Sequence, residues 1–158
     1  MANQQTKNQQ TKSEAAYNFR NLDVWRRAQA LAVHVMTSVK DLRSDAVTST
    51  VTRQLIAAVG SISANIAEGH GRYSLAAYKN HLSIAKGSAC ETDSWLHLLR
   101  EAGYLRGEVE DALHRECLDV IAILTSKIRE LERLNSERSA SRTSEESAEY
   151  RSDEPPGL

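Results

Sequence analysis

The two prolines of this 158-residue chain, Pro155 and Pro156, stand side by side near its end. The stretch from Tyr17 to Leu134 therefore contains no residue that lacks a backbone N–H donor or locks φ. Alanine, leucine and charged residues with long side chains dominate this stretch, and they lose little rotamer freedom in a helix. The sequence therefore predicts a helical domain over residues 17–134.

The two ends of the chain differ from this central stretch. Residues 1–16 are mainly Gln, Asn, Thr, Lys and Ser, and residues 135–158 are rich in Ser, Glu and Arg, with three Arg against six acidic residues. Neither segment has enough apolar area to offset the cost of ordering it. The sequence predicts a disordered N-terminal tail at 1–16 and a disordered acidic C-terminal tail at 135–158, with room for a short continuation of the last helix.

The charge balance does not indicate a nucleic-acid-binding protein. Residues 17–134 carry 15 Lys and Arg against 14 Asp and Glu, and the whole chain has a formal net charge of −1. A strongly basic domain would be expected for dominant phosphate contacts. Composition therefore leaves only a local basic patch as a route to nucleic acid.

The cysteines and the hydropathy pattern indicate a cytoplasmic protein. Cys90 and Cys117 have no paired metal-ligand spacing and are expected to be buried thiols. The N-terminus has no apolar run typical of a signal peptide, and no segment approaches the roughly 20 apolar residues of a membrane span. We expect neither a disulfide nor a membrane partner.

Four segments carry apolar residues at steps of three and four, the spacing of one helical face. They cover residues 22–42, 45–68, 75–102 and 108–134. Their main stripes are Trp25, Ala28, Ala32, Val35, Met36 and Val39; Val47, Val51, Leu55, Ala58, Ile62 and Ile66; Tyr78, Leu82, Ala85, Ala89, Leu96 and Leu99; and Leu113, Cys117, Val120, Leu124, Ile128, Leu131 and Leu134.

The short connections between these segments predict antiparallel neighbours. The expected fold class is therefore all-α, as an antiparallel up-down-up-down four-helix bundle. The last three segments carry more apolar surface than a single core needs, which predicts a second buried surface and hence a homo-oligomer.

Residues at the ends of the segments are typical of helix caps and helix stops. Ser44 or Asp45 is expected to accept hydrogen bonds from the first-turn amides of the second helix, and Ser74 from those of the third. Gly69 and Gly71 are expected to end the second helix in the left-handed conformation.

Two further glycines belong to the third helix. Gly103 is expected just past its end. Gly87 lies in its middle, where glycine costs about 1 kcal/mol against alanine. We therefore expect another backbone to approach closely at Gly87.

The most specific stretch is 61–72, Ser-Ile-Ser-Ala-Asn-Ile-Ala-Glu-Gly-His-Gly-Arg. Asn65, Glu68 and Arg72 follow one another at steps of three and four. A carboxylate near a helix C-terminus opposes the helix dipole, so Glu68 needs a partner. Arg72 or a backbone amide around residues 74–75 could provide it. We expect Glu68 to clamp the second helix to the third; a ligand-binding role is the alternative.

No catalytic constellation accompanies this stretch. A di-iron bundle needs paired Glu-x-x-His motifs, which the sequence lacks. The five histidines are scattered, and His34 in particular is expected to be solvated. No phosphate-binding loop and no nucleophile with an adjacent base is visible either. We expect neither an enzyme nor a bound metal or other cofactor.

The same stretch resembles a known family. Asn65-Ile66-Ala67-Glu68-Gly69 with Gly71-Arg72 is similar to the signature of the four helix bundle protein family, first noted as products of intervening sequences in large-subunit ribosomal RNA genes. The resemblance spans about residues 19–134. Its other pieces are Asn21-Leu22-Asp23-Val24-Trp25, Leu82-Ser83-Ile84-Ala85-Lys86-Gly87-Ser88 followed by Glu91, and Gly103-Tyr104-Leu105.

The resemblance implies a structural motif and an assembly. The motif residues would be Asn65, Glu68, Gly69, Gly71, Arg72, Gly87, Ser88 and Glu91. The assembly would be a homopentameric ring, similar in fold to the accessory proteins of diversity-generating retroelements. Those proteins bind a reverse transcriptase and nucleic acid, RNA or DNA, through a basic surface.

One departure from the family weakens the nucleic-acid inference. Family members often carry arginine after the Gln-Leu step of the second helix, where this chain has Ile56 and Ala57. The remaining candidates for a basic patch are Arg26, Arg27, Lys79, Lys86, Arg100 and Arg106, whose alternative role is a solvated helix face. We expect a non-enzymatic scaffold for an RNA or reverse-transcriptase complex; the alternative is a protein–protein adaptor that recruits a partner through its tail.

Overall fold

The computed structural model describes residues 18–42 and 45–152, with side chains up to Ser141. A short 3-10 turn, Phe19–Asn21, precedes four helices: α1 Asp23–Val39, α2 Ala46–His70, α3 Leu75–Glu101 and α4 Glu108–Ser152. These residues contain no strand, and the predicted all-α, four-helix domain is confirmed. The predicted tail at 1–16, the alternative cap Ser44 and residues 153–158 lie outside the described residues.

The core forms where the apolar stripes of the four helices meet. α3 is the centre of the packing, because it contacts both α2 and α4 more extensively than α1 contacts either of them. Leu55, Ile62, Leu82 and Leu124 are completely buried. Each such side chain contributes about 1.5–3 kcal/mol when it is removed from water. The bundle is therefore held mainly through α3.

Ion pairs at the edge of the core show how α3 and α4 are aligned. Arg100 Nη1 lies 2.9 Å from Glu110 Oε1 near one end of the pair, and Lys79 Nζ lies 3.4 Å from Glu132 Oε1 near the other. Residue numbers therefore rise along α3 as they fall along α4.

The start of α2 confirms Asp45 as its cap. The Asp45 carboxylate accepts from the backbone N–H groups of Val47 and Thr48, and the Thr48 hydroxyl accepts from the Asp45 N–H in return. Thr48 is buried, whereas Val47 is 64% exposed. Placing Val47 in the core stripe was therefore wrong, because the capping box turns Thr48 inward in the first turn.

The end of α2 differs from the prediction. The helix runs through Gly69 to His70, and Gly71 closes it in the right-handed conformation at φ −76°. Its N–H lies within hydrogen-bond distance of the carbonyl oxygens of Ala67 and Glu68. The left-handed stop expected at Gly69 and Gly71 was therefore wrong; that conformation occurs at Gly103, φ 77°, where α3 ends as predicted.

Gly69 has a packing role instead. It is buried, and a Cβ built on it would lie 2.7 Å from His81 Cβ and 3.0 Å from the Tyr78 ring, both on α3. Any side chain at this position would push α2 and α3 apart. Glycine is therefore required here by the close approach of the two helices.

Gly87 shows the opposite situation. It is exposed, and a Cβ there would meet no atom of the chain within 4 Å. The close backbone approach expected at Gly87 is therefore not made within a single chain, because this side of α3 faces away from α2 and α4.

α1 and α4 end at different places from those expected. α1 stops at Val39 rather than at residue 42, and Met36, expected in the core, is 40% exposed because it lines a groove beside α2. α4 continues to Ser152, through most of the segment predicted to be a disordered tail. Among the side chains described, up to Ser141, its last buried apolar residue is Leu131, and residues 135–141 are all exposed. No proline occurs before residue 155, so no residue of the segment interrupts the helical hydrogen-bond ladder.

We expect Gly69→Ala to destabilise the protein by up to about 2 kcal/mol, since overpacking costs about 1–3 kcal/mol and alanine returns about 1 kcal/mol of helix propensity. Urea unfolding at a fixed chain concentration measures the change. The matched control is Gly71→Ala just past the end of the same helix, where φ is −76° and a Cβ would lie an ordinary 3.5 Å from the nearest atom; this variant should be neutral or more stable. Equal effects of the two substitutions would contradict the close approach.

Candidate functional site at the α2–α3 interface

Polar side chains from α2 and α3 meet in one network beside the core. On α2, Asn65 Nδ2 donates to the carbonyl oxygen and the hydroxyl of Ser61, at 2.9 and 3.0 Å. On α3, the Ser88 hydroxyl donates to Ser61 Oγ at 3.0 Å, and His81 Nδ1 lies 3.4 Å from Asn65 Oδ1. The two helices are therefore joined by hydrogen bonds as well as by apolar packing.

Glu68 extends this network to the turn that follows α2. Its carboxylate pairs with Arg72, the partner expected from the sequence, and lies 3.8 Å from His81 Nε2. Its contact with the third helix is thus through a side chain rather than through the amides around residues 74–75. The Glu68 and Arg72 side chains are about half exposed, at 52% and 50%. Exposed ion pairs contribute at most about 1 kcal/mol, so the clamp depends mainly on the half-buried Asn65 and His81.

Sequence reasoning identified Asn65, Glu68 and Arg72 but missed Ser61 and His81. The i, i+4 spacing of Ser61 and Asn65 was a usable signal, because side chains four apart lie on one helical face. No such signal exists for His81. It lies on another helix, and its place opposite Asn65 depends on the helix register that the close approach at Gly69 allows.

The other residues of the predicted motif lie in different surroundings. Ser88 belongs to the network, and Gly71 caps α2. Glu91 is exposed and accepts a hydrogen bond from Trp95 Nε1 at 3.2 Å, within α3. The structure therefore brings together the α2 part of the motif and Ser88, and leaves Gly87 and Glu91 on the outer side of α3.

Most of the candidate basic residues are engaged in ion pairs. Arg27 Nε lies 3.1 Å and Arg26 Nη2 3.9 Å from the carboxylate of Asp23. Lys79 and Arg100 form the pairs with α4 described above. Arg106 donates to a backbone carbonyl, and Lys86 has no ion pair within the ranges that the structure covers. The six residues therefore do not form one free basic surface.

Histidines bridge further helix interfaces. His34 Nδ1 lies 3.0 Å from Glu116 Oε1, between α1 and α4, and His34 is half-buried; the expectation that it is solvated was wrong. His114 Nδ1 lies 2.7 Å from Asp93 Oδ1, between α4 and α3. His81 forms a similar contact between α3 and α2. A histidine therefore lies opposite a carboxylate at three of the four interfaces between neighbouring helices.

The two cysteines differ in their surroundings. Cys117 is completely buried and its thiol donates to the carbonyl oxygen of Ala89 at 3.2 Å, as expected for a buried thiol. Burial, with smaller effects of Asp93 and Cys90, raises the pKa of Cys117 to about 12. Cys90 is exposed, so the expectation that it is buried was wrong. It lies on the exposed side of α3, outside the apolar stripe that faces the core.

Residues 18–42 and 45–141, whose side chains are described, contain no group of three or more His, Cys, Asp or Glu arranged to hold a metal ion. Within the same residues, no helix is both long and apolar enough to cross a bilayer. The chemistry that the site supports is hydrogen bonding between helices.

A family model described as 23S rRNA-intervening sequence protein matches residues 20–126, which include α1, α2, α3, the first part of α4 and the whole network. The chain belongs to this family. The resemblance found in the sequence is thereby confirmed.

A solved structure supports the same assignment. It is a protein of unknown function from the S23 ribosomal protein family of Bacteroides thetaiotaomicron, 27% identical in sequence, with a TM-score of 0.61. The match covers 66% of this chain and 97% of that one. No curated protein matches the chain.

We expect Asn65→Ala to destabilise the protein by about 1–2 kcal/mol, because it leaves the half-buried Ser61 and His81 without their shared partner. Glu68→Ala should cost less than about 1 kcal/mol, because its ion pair is exposed. Urea midpoints of the two variants at one chain concentration make the comparison. A larger loss in Glu68→Ala would show that the carboxylate, and not the amide, holds the two helices.

The buried thiol predicts a pH dependence. An unfolded chain loses the Cys117 proton above about pH 9, the ordinary value, whereas the native chain keeps it until about pH 12. The stabilisation is therefore complete below pH 9 and falls by about 1.4 kcal/mol per pH unit as the pH rises toward 12. Burial also raises the pKa of Tyr78, which adds to the loss above pH 10.

Unfolding free energies measured from pH 8 to 11 should therefore fall less steeply in Cys117→Ala than in the native sequence. Cys90→Ala is the matched control for the loss of a thiol and should stay much closer to the native slope, because Cys90 has only a smaller effect on the pKa of Cys117. Parallel slopes for all three proteins would show that Cys117 titrates normally.

Proposed function

We propose that the protein is a non-enzymatic helical scaffold that works as a homo-oligomer. In this proposal the chain has the up-down-up-down order, and five copies form a closed ring. The scaffold serves an RNA or reverse-transcriptase complex, as the accessory proteins of diversity-generating retroelements do.

The observation that carries the assembly is the apolar surface that one chain leaves exposed. Each of the four helices has large apolar side chains on its outer side: Val33 and Met36 on α1, Val47 and Ile56 on α2, Ile84 and Leu98 on α3, and Val109 and Leu118 on α4, between 38% and 64% exposed. Single exposed apolar residues are common, so the support for association comes from those that adjoin: Met36 of α1 and Ile56 of α2 line one depression. A second copy of the chain supplies matching apolar surface.

The distribution of charge favours a protein partner over direct binding of nucleic acid. Phosphate contacts need lysines and arginines that are free to release counterions. Arg26, Arg27, Lys79 and Arg100 are already paired with carboxylates of the same chain. We therefore propose that the scaffold reaches RNA through a bound protein such as a reverse transcriptase. The family's description, which refers to 23S rRNA, supports an RNA-associated setting.

The length of α4 favours a second candidate function, a protein–protein adaptor that uses its C-terminal segment. From Leu131, its last buried apolar residue, to Ser152 the helix extends by about 30 Å at 1.5 Å per residue. Every side chain from residue 135 to residue 141 is exposed, so this part of the helix is available to a partner. In this alternative, residues 135–158 recruit a protein and no RNA is involved.

Light scattering on a sizing column tests the assembly. We expect a mass near five times the 17.5 kDa of one chain. A gel shift with structured RNA at about 0.15 M salt, with and without a reverse transcriptase encoded beside the gene, tests the partner. A shift is expected only when the reverse transcriptase is present.

The same experiment with a chain ending at Leu134 separates the two candidates. The scaffold predicts that this shorter chain still assembles and still supports the shift. The adaptor predicts that partner binding is lost with residues 135–158. A native chain that elutes as a monomer would remove the scaffold proposal.

A further inference from the structure

A pocket of about 370 Å³ lies where α1 and the turn before it pack against α2. Its volume is in the range of clefts that bind small molecules. The described residues that line it carry no charge. They include two aromatic residues, two small residues and two polar ones: Phe19 and Trp25, Gly60 and Ala64, and Gln29 and Ser63. A pocket with this lining is suited to an uncharged compound.

Two aromatic rings supply most of the large apolar surface of this pocket. Phe19 and Trp25 meet edge to face, with ring centroids 5.2 Å apart and 67° between their planes. Both residues are half-buried, so part of each remains open to the pocket. The Arg20 guanidinium lies over the Phe19 ring, 4.8 Å from its centroid, and does not line the pocket. Aromatic side chains of this kind favour flat ring compounds, which stack on them.

The α2 side of the pocket has room for such a ring. A Cβ built at Gly60 would meet no atom within 4 Å, and Ala64, one turn further along, contributes only a methyl group. A ring can therefore lie close to the α2 backbone in space that a larger side chain at Gly60 would fill.

Gln29 supplies a polar edge with a fixed orientation. Its Nε2 donates to Ser63 Oγ at 3.1 Å, and the Ser63 hydroxyl donates to the carbonyl oxygen of Gly60 at 3.4 Å. Because the Ser63 proton is directed to Gly60, the Ser63 oxygen can only accept from Gln29. The amide nitrogen of Gln29, and not its oxygen, therefore faces Ser63.

The rest of the Gln29 amide is free to bind a ligand. Its second N–H and its carbonyl oxygen have no partner within the part of the chain whose side chains are described, and the oxygen remains accessible. An amide donor beside an amide acceptor matches a ring that carries an acceptor beside a donor. Glutamine recognises adenine in this way, through N7 and the 6-amino group.

We propose that this pocket binds a small uncharged heteroaromatic compound whose ring carries a hydrogen-bond donor beside an acceptor, as the adenine ring does. The ring contacts Trp25 and lies against α2 at Gly60, and the Gln29 amide pairs with its donor and acceptor. The same ring occurs in free nucleosides and in RNA. Because no cation lines the pocket to hold phosphates, the free compound is the expected occupant. The site does not depend on the proposed assembly.

Isothermal titration of the full chain with adenosine tests the polar edge. Adenosine should bind saturably and about tenfold more tightly than purine riboside, which lacks the amino group. Gln29→Met keeps the length of the side chain but removes the amide, so it should abolish this difference and leave purine riboside unaffected. Equal affinities of the two compounds for the native chain would overturn the role of Gln29.

Gly60→Leu tests the space beside α2. It should abolish adenosine binding because the leucine side chain fills the pocket. The matched control is Gly87→Leu on α3, where a Cβ also meets nothing within 4 Å, and it should keep the native affinity. Leucine favours helix over glycine, so both variants should keep the native circular dichroism spectrum. Native affinity in Gly60→Leu, or no binding of adenosine by the native chain, would overturn the site.

Two further measurements separate this ligand from other occupants. An adenosine trinucleotide that binds more than tenfold tighter than adenosine, with an affinity that falls as salt rises, would overturn the free compound as the occupant. The pocket shares Met36 with the depression beside Ile56, so light scattering is repeated on Gly60→Leu. An unchanged mass is expected, and a lower mass would show that a second copy covers the pocket and would overturn the ligand site. A native chain that binds adenosine as a 17.5 kDa monomer would support the site and contradict only the assembly.

Discussion

The close approach of α2 to α3 at Gly69 is the constraint on which the rest of this bundle depends. Only glycine lets the α2 backbone come so near to His81 and Tyr78. At that separation His81 lies within reach of both Asn65 and Glu68, and Ser88 meets Ser61 one step further along the interface. α3 also packs against α4. The position of α3 that Gly69 permits therefore also determines where α4 packs.

Features that depend on a few neighbouring residues could be predicted from the sequence. The apolar period located all four helices, and Asp45 was identified as a cap because its partners lie within three residues. Asn65, Glu68 and Arg72 could be grouped for the same reason. Gly69, His81 and Cys90 were misjudged or missed because their roles depend on the distance and rotation between helices. A spacing of three and four residues does not encode that distance. It also does not show which of Val47 and Thr48 faces the core at the start of α2.

The basic residues show the same dependence on packing. Counting basic residues along the sequence suggests a patch, whereas their carboxylate partners become visible only when the helices are packed. Arg100 meets Glu110, which is 7% exposed, and Arg26 and Arg27 share Asp23. Basic side chains that are paired with carboxylates of the same chain contribute little to the attraction of a phosphate backbone. The apolar side chains on the outer surface have no such internal partners.

The length of α4 has a further consequence for an assembly with cyclic symmetry. Rotation about one axis carries every copy of α4 in the same direction, so all the C-terminal extensions would leave the ring on one side. The two sides of the ring would then be chemically unlike, one bearing a cluster of helical arms and the other bearing none. A partner that binds one arm weakly would find the next arm at high effective concentration. Avidity of this kind would let a small and mostly polar helix hold a large complex.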